Sequence, residues 1–347
     1  MKLIIQIPCY NEEDQLPATL ADLPRSVPGF DTVEWLIVDD GSRDRTVEVA
    51  RAHGVDHIVQ LGHNQGLARA FMAGLEACLR RGADVIVNTD GDNQYRADCI
   101  PALTEPVVAG RARIAIGARP IAEVAHFSAL KRGLQTLGSW VVRATSGTDV
   151  RDAPSGFRAI HRDAAVQLYV FNRYTYTLET VIQAGRLGIP VVSVPVEVNP
   201  PTRPSRLFRS IAQYVLRSGV TILRIALLYK PLRVFTIMAA GVALPGVIAF
   251  GRFLILYAQG AGQGNVQSLV IGAALIAAAA IVFIGGLLAD LIAANRMLLA
   301  EIRARQLMAE LTAVRADAGT RPGAATEPGS TIGGDHSGPV KRIGGRL

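Results

Sequence analysis

Between Val198 and Ala289 this 347-residue chain has no aspartate or glutamate. A solvated surface normally mixes both signs of charge, so an ordinary water-facing domain is excluded there. The same stretch carries Arg203, Arg206, Arg209, Arg217, Arg224, Lys230, Arg233 and Arg252. Basic groups beside apolar runs point to an anionic membrane face. Nucleic acid is the other acidic partner, but no nucleic-acid-binding module is visible. Cysteine is scarce: Cys9, Cys78 and Cys99 lie far apart. They offer neither metal spacing nor a disulfide framework, which implies a reducing compartment. The chain enters a strand-like run at Lys2 and lacks the long apolar region of a signal peptide, so its N-terminal half is expected to stay in the cytoplasm. Half of the residues are hydrophobic and only 6% aromatic. That is too apolar for an ordinary soluble domain and too polar for a bundle of many membrane helices.

Up to about Val198, short β-branched runs alternate with helical stretches. Strands are expected at Leu3–Ile7, Trp35–Val38, His57–Leu61, Ala83–Val87, Arg113–Ile116 and Val191–Val198, and Asp152–His161 is expected to be a loop running into a strand. Helices are expected at Gln15–Leu23, Arg45–Ala52, Leu67–Arg80, Cys99–Val108, His126–Thr145, Arg162–Tyr169 and Tyr176–Gly188. The alternation predicts an α/β fold with a Rossmann-like, mostly parallel sheet covered on both faces. Ligands of such sheets bind beyond the carboxyl ends of the strands. The polar clusters fall there: Pro8–Glu12, Asp39–Asp44, Asp90–Gln94 and Gly117–Arg119.

Ser205 is a plausible N-cap for a helix to Tyr229. Arg206, Arg209, Gln213, Arg217 and Arg224 form one stripe at helical period, with apolar residues elsewhere. This describes a helix lying in a membrane interface; a buried helix with a solvated edge is the alternative. Val234–Gly251, extended by Ile255 and Leu256, and Val266–Ala289 are each near the ~20 residues that cross a bilayer. Lys230 and Arg233 precede the first, and Arg296, Arg303 and Arg305 follow the second, so both ends of the hairpin are expected inside. The predicted organisation is a catalytic domain over 1–200, an interfacial helix over 201–231, and spans over 232–257 and 266–289. A cytoplasmic helix over 290–315 and a disordered Gly/Pro/Ser/Thr-rich tail over 316–347 follow.

Asp90 and Asp92 end the apolar run Ala83–Val87, with Gln94 two residues on. Neighbouring carboxylates repel unless a cation sits between them, and Mg²⁺ or Mn²⁺ suits this oxygen set. A polar turn after a strand is the plainer alternative. The Tyr10 ring and the carboxylates of Glu12, Asp39 and Asp40 suit a nucleoside, by stacking and by accepting from its N–H or hydroxyl groups. Ser42 or Asp44 could instead cap the following helix. Asn64-Gln65-Gly66 opens a helix with backbone N–H groups available to an anion.

Together these pieces resemble family 2 glycosyltransferases of the dolichyl-phosphate mannose synthase-like branch. They are Pro8-x-Tyr10-Asn11-Glu12, Asp39-Asp40-Gly41-Ser42-x-Asp44-x-Thr46, Asn64-x-Gly66, Asp90-x-Asp92-x-Gln94, Gly117-x-Arg119 and Ser155-Gly156-Phe157-Arg158. They occur in the family's order over about residues 1 to 210. The resemblance implies a GT-A fold and a nucleotide diphosphate sugar donor. Pro8, Tyr10, Glu12, Val38, Asp39, Asp40, Asp90 and Gly91 would bind the nucleotide. Asp90, Asp92 and Gln94 would hold Mg²⁺ or Mn²⁺. Asp92, Arg119 and Arg132 would act on the reacting groups, and Arg119, Arg132, Arg203, Ser205 and Arg206 would bind a polyprenyl phosphate. Gly91 and Asn93 stand where relatives often carry Ala and Leu, and the pre-membrane motif is compressed to Arg203–Arg206.

A phosphate acceptor is already an anion and needs cations rather than a general base; a hydroxyl acceptor would need a base. Glu179 and Asp152 are the spare acids for that alternative. The expected activity is inverting, metal-dependent transfer to polyprenyl phosphate at the cytoplasmic face of the inner membrane. Transfer to a lipid hydroxyl or glycan, or a catalytically silent membrane scaffold, are the alternatives. The pattern leaves homo-oligomerisation open.

Overall fold

The computed structural model describes residues 1–120, 143, 146–170, 176–200, 220, 223–224, 227–260 and 263–320. The expected helix His126–Thr145 lies largely outside them, as does most of Ser205–Tyr229. Arg132, Arg203, Ser205 and Arg206 are also outside the described residues.

Seven strands form one sheet in the order β3-β2-β1-β4-β6-β5-β7. They are β1 (Lys2–Cys9), β2 (Thr32–Asp39), β3 (His57–Gln60), β4 (Val85–Asn88), β5 (Ile114–Ala118), β6 (Arg158–His161) and β7 (Val191–Pro195). β1 pairs in parallel with β2 and β4, as do β2 with β3 and β5 with β7. β6 alone runs antiparallel, between β4 and β5. The parallel strands deliver their carboxyl ends to one edge of the sheet. β6 delivers its amino end to that same edge, with Arg158 opposite Asn88. The reversal therefore carries Ser155-Gly156-Phe157 to the strand ends where ligands bind in such sheets.

Period-two patterning splits the strand side chains between two cores. Ile4, Leu36, Val38, Ile86, Ile114 and Ile160 face one side. Leu3, Ile5, Ile7, Ile37, Val85 and Val87 face the other. The helices of this layer are α1 (Leu16–Asp22), α2 (Thr46–Ala52), α3 (Leu67–Arg80), α4 (Ile100–Val108), α5 (Arg162–Gln167) and α6 (Thr177–Arg186). Buried residues of α3, α5 and α6 join the first core, and those of α1, α2 and α4 the second. This is the expected GT-A-like architecture, with helices on both faces.

Two long apolar helices follow, α7 (Pro231–Ala258) and α8 (Val266–Thr320). Both are long and apolar enough to cross a membrane. Their outward side chains include Ile237, Leu244, Ile248, Ile281 and Leu288, all more than half exposed. Glycines let their backbones approach closely. A Cβ on Gly246 would stand 2.8 Å from the Leu275 Cβ, and one on Gly272 2.9 Å from the Phe250 nitrogen. Small residues at a crossing are how apolar helices pack when water supplies no drive.

The sequence divided the last region into a span ending near Ala289 and a separate helix from about 290. The structure has one helix of 55 residues, roughly 80 Å long at 1.5 Å per residue. Nothing between Ala289 and Asn295 breaks a helix: there is no proline or glycine, and Ala and Leu dominate. The far part of α8 docks on the catalytic layer. Leu307 and Leu311 are buried in the core beside α3 and α5. Arg303 lies over the Tyr169 ring, 4.7 Å from its centre, and pairs with Glu76 at 3.4 Å. Glu310 pairs with Arg80 at 3.0 Å.

Candidate active site

The β1 and β2 ends are laced together by side chains accepting each other's backbone N–H groups. Asn11 donates its N–H to Ser42 Oγ at 3.0 Å, and Arg43 donates its N–H to Asn11 Oδ1 at 2.9 Å. Glu12 N–H bonds Thr46 Oγ1 at 2.9 Å, and Glu13 N–H bonds Asp44 Oδ2 at 3.1 Å. Asn11 holds φ +53°, a conformation that Asn tolerates better than most residues. Asp44 also accepts from Thr46 N–H at the start of α2. The expected capping role thus falls to Asp44, while Ser42 serves Asn11.

Adjacent Asp39 and Asp40 do different work. Asp39 Oδ1 accepts from Ser42 N–H at 3.0 Å and the residue lines a cleft of about 520 Å³. Tyr10, Arg43, Gln60, His63 and Asn64 share that cleft, and Tyr10 is 39% exposed. Asp40 turns away. Its carboxylate accepts from Gln65 N–H at 2.7 Å and Gly66 N–H at 2.8 Å, where α3 begins. The anion site expected at Asn64-Gln65-Gly66 is therefore filled by the protein's own carboxylate, and Asp40 is a brace for the cleft wall. Val38 and Pro8 are likewise not on the cleft wall. Both are buried in register in the sheet, where period-two alternation sends Val38 into the core. Gly91 is buried too; Thr19 Oγ1 donates to its carbonyl at 3.0 Å, and a Cβ there would meet Cys9 Sγ at 3.1 Å. Gln60 and His63 are cleft residues that sequence reasoning missed, because a short strand end and its loop carry no motif of their own.

At the end of β4 the Asp90 carboxylate is crowded rather than braced. Burial, then the charge of Asp92 and of Glu12, push the Asp90 carboxyl up to about 7 against the pull of Arg119 and Arg158. Excess negative field of this kind fits a divalent cation. Among the described residues no group of three or more His, Cys, Asp or Glu side chains could hold a metal. Two carboxylates that rely on substrate phosphates and water for the remaining positions suit Mg²⁺ or Mn²⁺. Gln94 donates its N–H to Asp92 Oδ1 at 3.2 Å, so the turn shapes the second carboxylate.

Beneath Asp90 lies a polar floor that the sequence showed only as a motif without roles. Asn88 Nδ2 donates to Gly156 O at 2.8 Å and to Tyr176 Oη at 2.9 Å. Asn88 Oδ1 accepts from Gln6 Nε2 at 2.8 Å. A Cβ on Gly156 would stand 2.8 Å from Tyr176 Oη and 3.1 Å from Asp90 Oδ1, so only glycine fits there. Arg158 is fully buried. Its guanidinium donates to the carbonyls of Ser155, Ala153 and Thr177 at 2.8 Å each, and to Thr180 Oγ1. Burial lowers its pKa. A polar residue closing the apolar run before Asp90 was the available signal for Asn88.

Arg119 reaches the rim as half of a bidentate pair. Its Nε donates to Asp152 Oδ2 at 2.7 Å and its Nη2 to Asp152 Oδ1 at 3.0 Å. Burial alone would lower its pKa, but the Asp152 hydrogen bonds hold it above the ordinary arginine value. Asp152 is accordingly committed to orienting Arg119 and is not placed as a base. Glu179, the other spare acid, is buried and accepts from Tyr229 Oη at 3.1 Å. It secures the joint between α6 and the chain entering α7.

The model of the family described as glycosyl transferase family 2 matches residues 4–168. An undecaprenyl-phosphate mannosyltransferase from Micrococcus luteus is 31% identical over 206 residues, covering 56% of this chain and 83% of the relative. A polyprenol monophosphomannose synthase from Mycolicibacterium smegmatis is 28% identical over 206 residues, covering 56% of this chain and 76% of the relative. Among solved structures, glucosyl-3-phosphoglycerate synthase from Mycobacterium tuberculosis, in complex with phosphoglyceric acid, superposes with a TM-score of 0.50 at 19% identity. It covers 64% of this chain and 79% of that one, a likeness of fold. The chain belongs to glycosyl transferase family 2, within the branch of polyprenyl-phosphate glycosyltransferases, and is a hexosyltransferase.

Proposed function

We propose that the protein moves a sugar from a nucleotide diphosphate donor to a polyprenyl phosphate, with inversion, at the cytoplasmic face of the inner membrane. The observation that carries this reading is the continuity of α8. One helix runs from an apolar segment long enough to cross a bilayer into the core beside α3, where Leu307 and Leu311 are buried. The catalytic layer is thereby held at a fixed height beside the lipid, as a head-group phosphate acceptor requires. The relatives' names refer to undecaprenyl phosphate and polyprenol, in keeping with that acceptor.

Tyr10, Asp39, Gln60 and His63 bind the nucleoside in the cleft. Asp90 and Asp92, with Gln94, would hold Mg²⁺ or Mn²⁺ for the donor diphosphate. When bound, that ion supplies charge neutralisation to the departing phosphate. Arg119, pre-oriented by Asp152, binds the acceptor phosphate, a role that the sequence motifs also assign to Arg132, Arg203, Ser205 and Arg206. The acceptor oxyanion attacks the anomeric carbon as the bond to the diphosphate breaks, a single displacement that inverts the centre. No carboxylate base is needed, in keeping with the engagement of Asp152 and Glu179 elsewhere.

A donor screen on the full chain in membranes tests this. UDP- and GDP-sugars are supplied with undecaprenyl phosphate or undecaprenol, and with Mn²⁺, Mg²⁺ or chelator. The expected product is a glycosyl phospholipid of inverted anomeric configuration, formed only with the phosphate lipid and lost with chelator. Equal use of undecaprenol would overturn the acceptor assignment, and full activity in chelator the metal assignment.

A further inference from the structure

The turn that carries the metal carboxylates is fastened to the chain that leaves for the membrane. Asn199 N–H donates to Gln94 O at 2.9 Å, and Asn199 Nδ2 donates to Asn93 O at 2.9 Å. Tyr95 and Val198 form an antiparallel bridge, and Arg96 N–H reaches Glu197 O at 3.4 Å. Arg96 also pairs with the Glu197 carboxylate. The far side of the turn is anchored as well, since Asn93 Nδ2 donates to Asp22 Oδ2 at 2.8 Å. Asn93 sits at φ +54°, a left-handed conformation that its neighbours must hold in place.

Two features make this more than ordinary loop packing. The Asn199 side chain spends its donor on the carbonyl of the one residue in the turn with positive φ, midway between Asp92 and Gln94. Pro200 and Pro201 follow directly. A residue before proline is pushed to extended backbone, and proline fixes its own φ. Arg203 comes four residues beyond Asn199 in sequence, so the arm that carries it starts at the clamp.

We propose that Asn199 is a positioning residue that couples the acceptor arm to the metal turn, so that engagement of a polyprenyl phosphate tightens binding of the metal–nucleotide. The coupling rests on the transferase reading above. Binding of the lipid phosphate holds the arm still; Asn199 passes that restraint to Asn93 and Gln94; and Asp92, between them and Asp90, loses freedom that nucleotide binding would otherwise have to remove. By linkage, nucleotide in turn tightens lipid binding by the same factor.

The test uses the full chain in nanodiscs containing undecaprenyl phosphate or undecaprenol, titrated with UDP or GDP in the presence of Mn²⁺. For the wild type, the phosphate lipid is expected to tighten nucleotide binding by about fivefold, at the low end of ordinary coupling between two sites. Asn199→Asp has the same shape without the N–H₂ donor, and its ratio should fall to near one. Asn199→Ser, too short to reach Asn93, should behave likewise, and it replaces the Asp variant if that one does not fold. Asn93→Gly keeps the carbonyl and the left-handed backbone and loses only the tie to Asp22, so it should keep the lipid effect. A ratio unchanged in both Asn199 variants, a wild type without any lipid effect, or an equal loss in Asn93→Gly overturns the coupling. A wild type that binds neither nucleotide overturns the transferase reading, and the coupling falls with it.

Discussion

The ends of β2 and β4 both present paired acids, and the fold treats them in opposite ways. At β2, Asp39, Asp40 and Asp44 each accept backbone N–H groups. Burial works against the Asp44 carboxylate, yet the Thr46 hydroxyl and the N–H groups of Glu13 and Thr46 hold it below its usual range. At β4, burial and the charges of Asp92 and Glu12 push Asp90 up to about 7. The difference lies in the supply of donors. Where the backbone provides them, a carboxylate becomes a brace. Where it does not, the carboxylate stays crowded, as the proposed metal site requires. The contrast separates scaffold from chemistry among residues of the same type.

The strongest way to break the contrast is to remove the second acid of the crowded pair. Asp92→Ala is expected to cut transfer by at least about 10³-fold, since a bound cation supplies several kcal/mol at the transition state. Its melting temperature in chelator should match or exceed that of the wild type, because a repulsive charge beside Asp90 has gone. Turnover with each nucleotide sugar, read beside a thermal melt, checks both halves. Asp40→Ala should do the reverse. Losing the acceptor for Gln65 and Gly66 N–H is expected to cost about 2 to 3 kcal/mol of stability, seen as a lower melting temperature. The folded fraction should keep far more activity than Asp92→Ala.

Acidity sharpens the same contrast. A carboxyl with a folded pKa near 7 keeps a proton that the unfolded chain releases near 4. Its stabilising contribution is therefore fully present below the unfolded value and is lost as pH rises through 7. In chelator, the melting temperature should fall between about pH 4 and pH 7 relative to Asp90→Asn. Saturating Mn²⁺ should remove the difference, because the ion replaces the proton. A wild type that melts in parallel with Asp90→Asn across that range would show that the carboxyl is not crowded.

Strand periodicity and strand-end polarity made the first half of the fold legible. The runs around Ile4, Ile37 and Ile86 alternate between two cores, and a parallel sheet then dictates where polar ends collect. What was not legible depended on direction or on partners distant in sequence. Nothing in Arg158–His161 reveals that this strand runs backward, because antiparallel and parallel strands share the same side-chain period. Asp39 and Asp40 are alike in one dimension, and only the position of Gly66 decides which of them braces the wall. Nothing near Arg119 in sequence reveals that Asp152, 33 residues away, takes two of its donors and orients it. The division of α8 failed because membrane composition ends near Ala289 while helix propensity does not.

The smallest expected effect concerns the floor rather than the acids. The Tyr176 ring stacks on Phe71 with centres 3.9 Å apart, and its hydroxyl accepts from Asn88 Nδ2. Tyr176→Phe keeps the stack and leaves Asn88 its second acceptor, the Gly156 carbonyl at 2.8 Å. The expected cost is about 1 kcal/mol, that of a single buried hydrogen bond. Transfer should remain within several-fold of the wild type, because the hydroxyl bonds Asn88 and the Gly156 carbonyl and so supports the backbone beside Asp90. Gly156→Ala probes the same floor from the opposite side, since its Cβ would press on both Tyr176 Oη and Asp90 Oδ1. If Tyr176→Phe lost as much activity as Asp92→Ala while melting normally, the phenol would belong to the chemistry, and the line between braced and crowded groups would have to be drawn one layer deeper.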